Sequence, residues 1–315
     1  MRRARAGAPS GPRLPRSWLR QLVGLRLPCA AAACCAAAML DMAYPRPASG
    51  ATQPANATCP AQPELMPPHE ALPNLAAVLH PGGHVSILVV GSATVFGPEA
   101  SLAPGTLTSR TLRVAPPSVG RPAGPAAGAP AEPAPDHPSE ASFPVRMKAA
   151  LEAHIPGLSV SLAVRGGRNL TAEDMLPLLR AGLDVPQHPQ LVIWQTGTVD
   201  AVRNVSPGQF NQSLSEGTDA IIDAGADLIL VDPQFSRFLQ ANADLPPYFG
   251  ALRNAAALPG VVLFPRFELM QSWSESGDLD LETAEPGDAL RSVEVLHACL
   301  GTLLAEVMLD DADIP

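Results

Sequence analysis

The sequence predicts one doubly wound α/β domain built on five parallel strands. Two observations carry this. Short apolar, β-branched runs recur between Val85 and Phe264, and stretches with helical spacing separate them. Nearly every run gives way to a glycine or turn residue, as buried parallel strands do where they leave a sheet.

The first strand is Val85–Val90, ending at Gly91. A helix is expected from Phe143 to Ile155, where Val145, Met147, Ala149, Leu151 and Ile155 lie beside Arg146 and Lys148. Ser159–Val164 is the second strand, running out at Gly166-Gly167. Thr171 opens the next helix, with Asp174 three residues on as a short-armed capping box. Leu191–Gln195 is the third strand, followed by Thr196-Gly197. A helix from Ser206 or Pro207 to about Ala224 leads into a fourth strand, Asp227–Val231. Pro246–Ala257 is helical, Val261–Phe264 is the fifth strand, and Gly287–Leu309 is a long closing helix. In such sheets ligands bind outside the carboxyl ends of the strands. The loops after Val90, Val164, Gln195, Val231 and Phe264 are therefore where chemistry is expected.

Not all of the chain fits this pattern. Its 315 residues include 36 Pro and 25 Gly, well above ordinary globular usage. The 46% hydrophobic and 16% charged content argues against a wholly disordered chain. Eight of the 21 Lys and Arg fall in residues 1–50 against one acid, Asp41. That basic start precedes the apolar run Leu27–Met42 and small residues at 48–51, the layout of a secretory signal peptide; a disordered arm is the alternative. Residues 51–80 read as an extended lead-in, and 81–310 as the domain. A Pro/Ala-rich stretch at about 105–142 reads as a disordered insertion, since it has too little apolar surface to offset its ordering entropy.

Export to the periplasm or medium is the expected localisation, with an uncleaved N-terminal segment as an alternative membrane anchor; no spanning segment is expected in the mature chain. Outside the N-terminal segment only Cys59 and Cys299 remain, which permits one disulfide without establishing it. The net charge of −9 disfavours a nucleic-acid partner, which would need clustered Lys and Arg. The oligomeric state is not legible.

The loop Gly91-Ser92-Ala93-Thr94-Val95-Phe96-Gly97 lacks the lysine of a phosphate loop and fails the dinucleotide glycine pattern. The histidines show no metal-ligand spacing, so neither a metal nor a cofactor is expected. Three further features stand at or near strand ends: Gly166 after the second strand, Gly197-Thr198-Val199-Asp200 after the third, and Glu294-Val295-Leu296-His297 in the closing helix.

In this order these four blocks resemble the SGNH (GDSL-like) hydrolase superfamily, over about Val85 to Met308. The resemblance implies a flavodoxin-like three-layer α/β/α fold and ester chemistry by a hydroxyl nucleophile, an imidazole base and an orienting acid. It also marks departures. The nucleophile position holds Ala93, and Val199 stands where an asparagine would donate to the oxyanion. Glu294 replaces an aspartate. The catalytic candidates are thus Ser92 or Thr94 as nucleophile, His297 as base and Glu294 as its orienting acid. Gly91, Gly166, Gly197 and Asp200 form the oxyanion and loop set.

Each has an ordinary structural alternative. Ser92 can hydrogen-bond a turn, His297 can be a packed helix residue, Glu294 a solvated carboxylate, the glycines turn formers, and Asp200 a cap for the segment after it. Arg266, just past the fifth strand, either binds an anionic substrate group or pairs with Glu268. The expected function is an esterase or acyl transferase acting on a small-molecule ester or an acylated carbohydrate. The alternative is an inactive relative that binds a glycan or assists cell-envelope polymer assembly.

Overall fold

The structure is a computed structural model and describes residues 59–60, 62–66, 72–102, 137–283 and 285–311. The chain divides into two units, Met1–Thr52 and Gln53–Pro315. The first lies outside the described residues, as do the signal-peptide expectation and most of the Pro/Ala-rich stretch. The strands and helices belong to the second.

A short lead-in helix, α1 (Pro73–Ala76), precedes β1 (His84–Ser92). A 3-10 turn, Ala93–Phe96, and α2 (Pro98–Leu102) come directly after it. Then come α3 (Phe143–His154), β2 (Ser159–Gly167), α4 (Ala172–Leu183), β3 (Leu191–Gln195), α5 (Thr198–Val202) and α6 (Pro207–Asp223). The chain continues through β4 (Asp227–Val231), α7 (Arg237–Asn242), α8 (Pro246–Ala255), β5 (Val261–Phe264), α9 (Arg266–Ser276) and α10 (Pro286–Asp311).

The five strands are all parallel, in the order β2-β1-β3-β4-β5. Helices flank the sheet, which makes the expected three-layer α/β/α architecture. The chain leaves β1 toward β2 and returns past it to β3, so the topological switch lies between β1 and β3. Every residue of β3 and β4 is buried, which their continuous apolar runs require.

The capping box at α4 forms as its sequence implies: the Thr171 hydroxyl accepts from the Asp174 N–H, and the Asp174 carboxylate accepts from the Thr171 N–H. Asp227 fastens the lead-in by accepting from the Leu75 N–H and from Asn74 Nδ2, both at 2.8 Å.

Three expectations are revised. The first and second strands run further than their apolar cores, so Gly91 and Gly166 are strand residues facing each other across the β1–β2 ladder rather than turn formers. A Cβ on Gly166 would lie 2.2 Å from the Gly91 carbonyl oxygen, so close strand contact is what glycine permits there. The interrupted stretch also rejoins the domain before residue 142. The Ser139 N–H donates to the Phe96 carbonyl at 2.8 Å, and Ser142 is buried. Finally, the loop expected after Phe264 is only Pro265, because α9 begins at Arg266.

Helix α10 is long and apolar enough by length and composition to cross a membrane, yet 56% of its most apolar window is buried inside the fold. It packs on α3 through Gly301, where a Cβ would come within 2.8 Å of the Phe143 carbonyl oxygen. Cys59 and Cys299 are joined as a disulfide with their Cα atoms 5.3 Å apart, which ties the lead-in to this helix.

Candidate functional site at the carboxyl ends of the strands

The loop after β1 is held from the neighbouring strand. Gln195, the last residue of β3, donates from Nε2 to Ser92 Oγ at 3.0 Å and to Thr94 Oγ1 at 2.7 Å. Thr94 Oγ1 in turn donates to Gln195 Oε1 at 2.9 Å, and the Ser92 and Thr94 hydroxyls are 3.0 Å apart. Both hydroxyl protons are consumed within this trio. A carboxamide accepts a hydrogen bond but is no proton acceptor at neutral pH, so neither hydroxyl meets a base. Ala93 between them is 2% exposed and carries no reacting atom. The loop closes at Gly97, whose φ of +126° favours glycine and whose absent Cβ leaves room for Ser139.

His297 is 3% exposed and meets different partners. Its Nδ1 accepts from the Phe143 main-chain N–H at 3.1 Å, one of the unpaired donors at the start of α3. Its Nε2 lies 3.1 Å from Ser101 Oγ, and that hydroxyl donates to the Gly97 carbonyl at 2.8 Å. The directions agree with one assignment. Nδ1 must be bare to accept from Phe143, so Nε2 carries the proton and donates to Ser101. Burial, aided by the positive charge of Arg266, lowers the imidazole pKa from 6.5 to about 3. The ring is thus a neutral donor whose lone pair points at a helix terminus. Glu294, one turn earlier on α10, is exposed, and both ring nitrogens are engaged by other partners. The structure therefore brings Ser92 and Thr94 together but wires His297 to Ser101 and Phe143, without Glu294.

The loop after β3 begins at Gly197, with φ of +93°, and leads into α5. Val199 is 4% exposed and offers no donor. Asp200 is buried; its carboxylate accepts from the Ala172 N–H at 3.0 Å, and burial raises its pKa. It caps the start of α4, an earlier helix, rather than the segment after it. Thr198 Oγ1 accepts from the Gln234 N–H at 3.0 Å and from Arg266 Nη2 at 3.3 Å.

Arg266 is 3% exposed and forms no ion pair among the described residues, with Glu268 or any other acid. Burial lowers its pKa to about 10, against the opposing pull of Asp232. Asp232 is itself buried, which raises its pKa well above the ordinary value, and its Oδ1 accepts from the Phe267 N–H at 2.8 Å.

Some of these groups border one cavity of about 250 Å³. Thr94, Ser101, Gln234, Arg266 and His297 supply polar atoms, while Leu102, Phe143, Phe235, Met270, Leu296 and Leu300 supply much of the apolar wall. Ser92 instead borders a much smaller recess with Ala93, Arg168, Thr198 and Val199. Sequence reasoning missed Ser101, Gln195 as a side-chain partner, and the Phe143 N–H. Nothing in the sequence around Ser101 marks it. For α9 a signal exists: Arg266, Leu269, Met270 and Trp273 are all buried and follow helical spacing. Among the described residues no group of three or more His, Cys, Asp or Glu could hold a metal ion.

Fold and site together define a three-layer α/β/α protein with a largely apolar cavity at the carboxyl ends of its strands. The chain belongs to the non-GDSL lipase-like family, whose profile matches residues 126–314, more than half of its length. A search of curated proteins returns no match.

Solved structures give loose likenesses. TesA is 17% identical, over 70% of this chain and 99% of that one, with a TM-score of 0.45. The acetylxylan esterase Axe2 from Geobacillus stearothermophilus is 12% identical, over 76% and 97%, with a TM-score of 0.47. LAE5, an alpha/beta hydrolase enzyme from the metagenome of Lake Arreo, Spain, is 15% identical, over 75% and 98%, with a TM-score of 0.48.

Proposed function

We propose that this protein holds an acyl-bearing ligand in the cavity beside His297 and does not cleave it through the four-block machinery. The observation that carries this reading is the hydrogen bond from Phe143 to His297 Nδ1, which leaves Nε2 protonated. A general base needs a free lone pair within reach of the nucleophile's proton. Here the only lone pair of the neutral ring accepts from the backbone. Ala93 and Val199 point the same way, since the positions for attack and for oxyanion donation are both apolar. The cavity wall is mostly hydrocarbon, which suits an acyl chain better than a glycan.

A hydrolase reading stands beside it because Thr94 and His297 border the same cavity and the family is lipase-like. In it Thr94 or Ser92 attacks, His297 shifts tautomer to act as base, Glu294 orients the ring, and Gly166 with the loop amides of Gly91 and Gly197 meets the oxyanion.

One experiment separates the two. The full chain is treated with a fluorophosphonate probe, adducts are mapped by mass spectrometry, and turnover of p-nitrophenyl acetate is followed. The ligand-holding reading expects no adduct on Ser92, Thr94 or Ser101 and no turnover above buffer. An adduct that vanishes in His297→Ala, with turnover, overturns it.

Export is part of the proposal. The basic and apolar N-terminal pattern supports it, and so does the Cys59–Cys299 disulfide, since such bonds persist in oxidising compartments. Sequencing the N-terminus of the mature protein tests it: a start near residue 50 is expected, and an intact Met1 in the cytoplasm refutes it.

A further inference from the structure

The burial of the Arg266 side chain is not accounted for by its partners among the described residues. Its guanidinium is almost wholly enclosed, yet its one hydrogen bond among the described residues is the 3.3 Å contact from Nη2 to Thr198 Oγ1. Its Nε is buried with no partner. No carboxylate comes within 4.0 Å of it among the described residues, and Asp232 is engaged by the Phe267 N–H. A buried cation without a bonded counter-charge is costly, and natural proteins keep such a group chiefly where something completes it. Arg266 lines the cavity, so what completes it can enter there.

We infer that the cavity binds the carboxylate form of a medium-chain aliphatic acid, with the carboxylate on Arg266 and the chain along the apolar wall. This deepens the ligand-holding reading and rests on it. An arginine fork matches the two oxygens of a carboxylate and forms charge-assisted hydrogen bonds. Leu102, Phe143, Phe235, Met270, Leu296 and Leu300 offer no partner for a polar chain.

A cavity of about 250 Å³ has room for a chain of several carbons rather than an acetyl group alone. The other charged group on the wall is Glu282, which is paired with Arg237 at 3.7 Å and accepts its N–H at 2.9 Å. That negative charge favours a singly charged headgroup over a dianion such as a phosphate monoester.

The test uses the full chain and calorimetric titration with octanoate, octan-1-ol, octyl phosphate and acetate. Octanoate is expected to bind at least about tenfold more tightly than octan-1-ol, as a charge-assisted contact requires. It should also bind more tightly than octyl phosphate, while acetate binds too weakly to measure. In Arg266→Met the preference for octanoate over the alcohol is expected to disappear while the alcohol still binds. Equal affinity for octanoate and octan-1-ol in the wild-type chain, or no octanoate binding, overturns the proposal without any variant having to fold. Hydrolysis of p-nitrophenyl octanoate would instead overturn the ligand-holding reading, and the two failures are thereby distinct.

Discussion

The Phe143 main-chain N–H and His297 Nδ1 are 3.1 Å apart, and this contact decides which nitrogen of the imidazole carries its proton. A helix terminus presents N–H donors and a positive dipole end, so it takes a neutral acceptor and repels an imidazolium. Nitrogen-15 NMR on histidine-labelled protein is expected to show His297 with a bare Nδ1 and a protonated Nε2. With a pKa of about 3 the signals should not titrate between pH 8 and pH 5. A midpoint near 6.5 would mean that the ring is solvated and free to act as a base.

The same burial gives acid sensitivity. His297 has a folded pKa below its unfolded value, so between pH 6.5 and about 3 the unfolded chain binds the extra proton and stability falls as pH falls. The slope from one such group is at most about 1.4 kcal/mol per pH unit. Asp200, Asp227 and Asp232 have raised pKa values and act in the opposite sense, losing stability as pH rises through them. The comparison with His297→Asn isolates the histidine, since the amide oxygen can still accept from Phe143. Urea unfolding is expected to show the variant less stable at pH 7, with the gap narrowing toward pH 4. Parallel curves would exclude the imidazole as the source.

Strands are legible in the sequence because they are apolar runs with a shared environment. Leu191–Gln195, Asp227–Val231 and Val261–Phe264 match the structure to the residue. The four-block order points to the right family scaffold. The site is less legible because its decisive contacts are backbone ones. No spacing announces that the N–H of Phe143 faces an imidazole 154 residues away, or that a carbonyl at Gly97 takes the proton of Ser101. The pairing of Glu294 with His297 rests on i and i+3 spacing alone. In the structure α10 turns the carboxylate to solvent and the imidazole inward.

Restoring the missing hydroxyl should not restore chemistry. In Ala93→Ser the new side chain would sit in the Gln195-held loop, beside Ser92 and Thr94, while the lone pair of His297 still faces α3. Ester turnover is expected to stay at the background level, and fluorophosphonate labelling to stay absent. A rise of about a hundredfold or more, the scale of positioned acid–base catalysis, would show that the imidazole can change partners.

The Cys59–Cys299 bond joins residues 240 apart in sequence and fixes the lead-in to α10 two positions from His297. Such a link stabilises mainly by restricting the unfolded chain, typically by about 2–4 kcal/mol. The Cys59→Ala, Cys299→Ala double variant is expected to unfold at clearly lower denaturant, and wild type under reductant should behave like it. An unchanged midpoint would mean that the covalent link itself adds nothing to the stability of the domain.

At Arg266 the expected effect of substitution on stability runs against its effect on binding. Replacing most buried polar residues weakens a fold by stranding their partners. Arg266 strands little: one 3.3 Å contact to Thr198, whose hydroxyl still accepts from the Gln234 N–H. Arg266→Met removes a buried cation with a bare Nε and substitutes a shorter, uncharged thioether chain. Replacements of this kind are often neutral or stabilising by about 1–4 kcal/mol. The ligand-free variant is therefore expected to melt at or above the wild-type temperature, and octanoate should raise the wild-type melting temperature but not the variant's. A strongly destabilised ligand-free variant would show that the arginine is a structural element of the fold, held by Asp232 across the gap, rather than a group kept for what enters the cavity.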